Sequence, residues 1–158
     1  MLVFSEPQLK DCDWISKCVK ESGYMGSDAS FANIYLLKSK YNTKVSFYKD
    51  FLIRYYEGYG SRHGYTFPLG HGKADKALEA IRQDALENNR KLEFCFVTEE
   101  QKEMLDAVYG NILEYKKDDG DSDYIYGQQE LAELSGRAYH KKKNHLSKFK
   151  RTYNNIRY

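Results

Sequence analysis

The spacing of apolar residues changes twice along this chain, and that change excludes both all-α and all-β folds. A segment near 29–38 carries Phe31, Ile34, Tyr35 and Leu37 and reads as a helix, with Ser27-Asp28 placed to cap it. Residues 43–49 then alternate through Val45 and Phe47, Lys49-Asp50 offers a turn, and Phe51–Tyr56 is rich in aromatic and β-branched types. The Gly-rich stretch Glu57–Arg62 turns the chain into His63–Pro68, which completes a three-stranded antiparallel meander. Helical spacing returns at 73–89. There Ala74, Ala77, Leu78, Ile81 and Ala85 form one face, while Lys76, Arg82, Asp84 and Glu87 fill the other.

The flanking segments complete the pattern. Pro7 stands near the start of a first helix, 7–21, where its missing N–H costs nothing. Asn88-Asn89 closes the helix at 89, and Leu92–Val97 follows as a short apolar strand. Thr98-Glu99-Glu100-Gln101 fits a capping box opening a helix to about 109. A strand is expected near 111–116, another extended piece at Tyr124–Tyr126, a short helix at 128–135 and a last helix at 138–153. The order αα-βββ-α-β-α-β-β-α is a mixed α/β (α+β) layer architecture, a mostly antiparallel sheet flanked by helices. With 158 residues the chain has room for one such domain and no second large one.

Charge points to function. Residues 1–133 hold 17 Lys and Arg with all 23 Asp and Glu, whereas residues 134–158 hold 8 basic residues and no acid. A terminal segment of that kind calls for an anionic partner. Along it, Tyr139, Leu146, Phe149 and Tyr153 share a helical stripe expected to dock on the domain. Arg137, Lys141, Asn144 and Lys148 lie opposite, with Lys143, Lys150 and Arg151 along the flank. Together with Lys142 and the histidines His140 and His145, this face suits phosphate oxygens of RNA or of lipid headgroups.

A second candidate is the loop Gly70-His71-Gly72-Lys73, between a strand and an amphipathic helix, where free backbone N–H groups and the helix dipole favour an anion. It lacks Walker A spacing, and a plain glycine turn is the commoner use of such a sequence. Other chemistry is excluded more readily. The acidic loop 118–123 lacks the Gly and Glu of an EF-hand, with Asp123 at its sixth position and Gln129 at its twelfth. His140 and His145, five apart, do not make a metal pair, no zinc spacing exists, and no metal is expected. No nucleophile–base motif can be assembled around His63, His71 or any serine, so no catalytic residue is assigned. The 15 tyrosines admit base stacking or packing at core edges. Three cysteines make no disulfide framework, no apolar run is long enough to span a membrane, and Met1–Pro7 has no secretory pattern. A cytoplasmic location is the expectation.

The segments Tyr124-Ile125-Tyr126, Leu131, Leu134-Ser135-Gly136-Arg137, Tyr139–His145 and Phe149-Lys150 resemble the central signature of the lysylphosphatidylglycerol synthase C-terminal domain family. Phe67-Pro68-Leu69-Gly70 and the Ser30-Phe31 to Tyr35 region are similar to earlier blocks of that family. The resemblance implies tandem acetyltransferase-like (GNAT) folds, of which residues 1–136 would be the first and 137–158 a basic helix leading toward a second half. It also implies transfer of lysine from lysyl-tRNA to phosphatidylglycerol by the best-known members. By that resemblance the basic face contacts tRNA or another phosphate-bearing ligand, and the segment alone is catalytically silent. The alternative is an interaction module that pairs with a second half or with another copy. Gly70–Lys73 would stand where acetyltransferases hold acetyl-CoA, but the usual Arg/Gln-x-x-Gly-x-Gly/Ala pattern is absent and no cofactor is expected.

Overall fold

A computed structural model describes residues 1–58, 62–110 and 112–153. It separates into two compact units, Met1–Ser122 and Asp123–Tyr158. In the first, a 3-10 turn at Leu9–Asp11 leads into α1 (Cys12–Ser22), followed by α2 (Phe31–Leu36) and α3 (Lys38–Tyr41). Strands β1 (Thr43–Tyr48), β2 (Phe51–Glu57), β3 (His63–Tyr65) and β4 (Leu69–Gly70) come next, then α4 (Asp75–Glu87) and α5 (Glu99–Tyr109). The second unit holds α6 (Gln128–Glu133) and α7 (His140–Thr152).

All strand pairings are antiparallel and centre on β2. β1 and β2 join through Lys49 and Asp50, both with positive φ (47° and 66°), the backbone of a two-residue hairpin turn whose twist suits the flanking strands. Side chains alternate across a strand, so β2 feeds two cores. On one face Phe51, Ile53 and Tyr55 join Tyr65 of β3, Phe67 just beyond it, and Ala77, Leu78, Ile81, Ala85, Leu105 and Tyr109 from α4 and α5. On the other, Leu52 meets Ile15, Cys18, Ala29, Ile34, Val45 and Leu69. The sheet is thus covered on both sides, and β2 is buried along its length up to Tyr56.

Several expected elements are corrected. The strand expected over His63–Pro68 is shorter, ending as β3 at Tyr65, and β4 forms beyond Pro68, a residue with no N–H for a ladder. Leu92–Val97 is not a strand. It keeps one parallel bridge, in which Tyr65 N donates to Glu93 O and Cys95 N to Tyr65 O, both at 2.8 Å, before Phe96 adopts a left-handed φ of 57°. Residues 112–116 and Tyr124–Tyr126 form no ladder, and residue 111 lies outside the described residues. The helix expected at 29–38 breaks at Leu37 into α2 and α3. Its cap is Ser30, whose hydroxyl accepts from Asn33 N, rather than Ser27-Asp28. Asp84 belongs to the buried face of α4, not the solvent face. The capping box holds as read: Thr98 Oγ1 accepts from Gln101 N at 3.2 Å, and Thr98 N donates to Gln101 Oε1 at 3.1 Å.

Candidate anion-binding site

The basic segment lies in the unit Asp123–Tyr158, which has eight basic side chains against three acidic ones. Gly127 precedes α6, which ends in left-handed backbone at Leu134 (φ 50°). Gly136, at φ 83°, supplies a second left-handed residue, and a 3-10 turn at Arg137–Tyr139 feeds α7. Lys150 and Arg151 fall in the last turn of α7, where cations suit the negative end of the dipole. No carboxylate stands in its first turn.

All eight predicted anion-binding residues (Arg137, His140, Lys141, Lys142, Lys143, Asn144, His145 and Lys148) are exposed. None of the basic ones forms a salt bridge with a described residue. The cations are therefore open to an anion. The stripe residues Leu146, Phe149 and Tyr153 are 41%, 44% and 57% exposed. Lys142 stands in the stripe, three residues after Tyr139 and four before Leu146. The Lys142 Nζ lies 4.7 Å from the centre of the Tyr126 ring. Tyr139 donates to Glu130 Oε2 at 2.9 Å, and that hydrogen bond, with slight burial and the charge beside it, pushes its phenol pKa up.

Gly70–Lys73 sits in the other unit, with His71, Gly72 and Lys73 exposed. A Cβ on Gly70 would stand 2.2 Å from Asp50 O, so this glycine is required by the close approach of β4 to β2. Asp75 places a carboxylate in the first turn of α4, beside the helix end that an anion would use. His63 Nδ1 lies 3.3 Å from Glu93 Oε2.

Two buried charge networks escaped the sequence reading. Arg54 donates to Asp28 Oδ2 at 2.7 Å, to Asp28 O at 2.9 Å and to the Tyr56 hydroxyl at 3.1 Å. Asp84 accepts from the Tyr65 hydroxyl at 2.6 Å, from Arg90 at 2.8 Å and from Asn88 at 3.1 Å. The available signals were an arginine inside an aromatic strand and an aspartate three residues after Ile81 on an apolar helix face. Asp84 and Glu87 border two open grooves of about 470 and 490 Å³ beside α4. Among the described residues, no group of three His, Cys, Asp or Glu side chains is arranged to hold a metal ion. No helix among them is long and apolar enough to cross a membrane.

Comparison with known families matches residues 20–158 to the family described as phosphatidylglycerol lysyltransferase, C-terminal. The chain belongs to that family. Membership in the phosphatidylglycerol lysyltransferase C-terminal family takes in the whole basic unit and the chain from within α1 onward. A crystal structure of a conserved protein of unknown function from Bacteroides thetaiotaomicron VPI-5482 is similar, with a TM-score of 0.86 and 27% identity. The similarity covers 98% of this chain and 52% of that one, so this lysyltransferase-family chain spans about half the length of its structural relative. No curated protein matches.

Proposed function

We propose that this chain serves an aminoacyl- or acyl-transferase-like protein as its anion-binding half, holding the phosphates of aminoacyl-tRNA along α7. The observation that carries the reading is that Arg137, Lys141, Lys142, Lys143 and Lys148 are all exposed and without carboxylate partners among the described residues. Family membership supports a transferase setting. A GNAT-like first half fits the hairpin-centred sheet with helices on both faces. Acetyl-CoA is not part of the reading, since the Gly70–Lys73 loop lacks the usual pattern and its first glycine has a packing role. The reacting groups would come from elsewhere in the functional unit, so the isolated chain binds without turning over.

Phosphate contacts release counterions, so binding weakens steeply with salt. Five such contacts lower affinity about 10²- to 10³-fold between 50 and 200 mM salt. Titration of tRNA against the chain at those two concentrations tests this, and binding that is absent or insensitive to salt overturns it.

A second reading rests on the open stripe Leu146, Phe149 and Tyr153 and on the half-length match to the crystal structure. Here the segment is an interaction module whose stripe meets a second half or another copy. Sedimentation equilibrium distinguishes the case of another copy. That case requires a dimer that charge reversal at Lys141, Lys142 and Lys143 dissociates, and a monomer at every concentration removes it.

A further inference from the structure

Beside its basic helix, the unit Asp123–Tyr158 exposes a cluster of aromatic rings. Tyr124 is 87% exposed and Tyr126 39%. They are two residues apart on an extended segment, which puts both side chains on one side of the backbone. Their rings are nearly parallel, at 17° and 6.4 Å between centres. Tyr139 adds a third ring 6.2 Å from Tyr126, with its hydroxyl tied to Glu130. The Lys142 ammonium lies over the Tyr126 face, and Lys141 and Lys143 flank it in sequence.

A ring that serves only packing is mostly buried. Tyr124 and Tyr126 are held in order by one another, Lys142 lies over Tyr126, and Tyr124 is left open to solvent. An anionic lipid surface would want an apolar stripe free of charge, yet Lys142 sits within it and Glu130 lies against the ring cluster. Unpaired nucleotides fit better, because they present flat bases for rings and phosphates for cations side by side.

We infer that Tyr124 and Tyr126 stack unpaired bases of a single-stranded nucleic-acid segment whose phosphates are held by Lys141, Lys142 and Lys143. This rests on the phosphate-binding reading above and adds a base-dependent part to it. The test compares a fluorescent single-stranded oligoadenylate with an abasic oligomer of equal length and charge. Fluorescence anisotropy should show the full chain binding the oligoadenylate about tenfold or more tighter than the abasic oligomer. Tyr124→Ala/Tyr126→Ala should bind both equally, at the abasic affinity, while Tyr124→Trp/Tyr126→Trp keeps the preference. Unchanged far-ultraviolet circular dichroism shows that the exposed substitutions leave the fold intact. Equal wild-type affinity for both oligomers overturns stacking and leaves phosphate binding standing. A preference surviving in the alanine variant also overturns it, and binding to neither oligomer overturns both readings. Binding only to vesicles of phosphatidylcholine and phosphatidylserine would assign the face to lipid.

Discussion

Arg54 shows what a single residue can demand of this fold. Its side chain is 1% exposed on a strand that also buries Leu52, Ile53, Tyr55 and Tyr56. Burial pulls the guanidinium pKa down, but Tyr56 and Asp28 beside it outweigh that effect and hold it above its ordinary value. The charge is therefore kept and must be answered. Asp28→Ala leaves it uncompensated and should cost about 3–5 kcal/mol, whereas Arg54→Met, with similar volume, should cost far less. Urea unfolding checks the pair, and an Asp28→Ala variant within 1 kcal/mol of wild type would contradict the assignment. In the sequence Arg54 sits in an evident strand, but its partner is 26 residues away, in the segment read as a helix cap. A local pattern cannot show that pairing. Asp84 was hidden differently, because its type suggested solvent while its position, three after Ile81 and one before Ala85, put it on the buried face.

At the scale of elements, much that depends on local chemistry was legible, although the cap proved to be Ser30 and the helix broke at Leu37. The β1–β2 hairpin, α4 and the Thr98 box each follow from spacing, turn residues or a cap within a few positions. Elements that need a distant partner were not. Leu92–Val97 looks like a strand in isolation, yet the sheet gives it one bridge and Phe96 bends it away. The candidate loop was legible as a glycine turn, while the reason for its first glycine was not, since Asp50 is far off in sequence. Gly70→Ala would drive a methyl carbon into Asp50 O at 2.2 Å and against Phe51 Cα at 3.0 Å. The β4–β2 pairing must shift to admit it, at a cost of about 1–3 kcal/mol. Thermal unfolding measures this, and an unchanged midpoint would show that the approach of β4 to β2 is not tight. Within α7 the basic face was readable residue by residue.

For the whole molecule, a net charge of +2 conceals two units of opposite character. Met1–Ser122 has 17 basic and 20 acidic residues around its two-sided sheet, and Asp123–Tyr158 has 8 basic and 3 acidic. Family membership supports a transferase setting, and the chain spans about half the length of the similar crystal structure. In the function proposed above, the cations of the second unit hold an anion, and the α7 lysines meet phosphates directly. The most direct measurement is the slope of log affinity for tRNA against log salt, in wild type and in Lys141→Gln/Lys143→Gln/Lys148→Gln. Each phosphate contact contributes about one to that slope, so the variant should be shallower by about three. An identical slope in the two proteins would contradict the account.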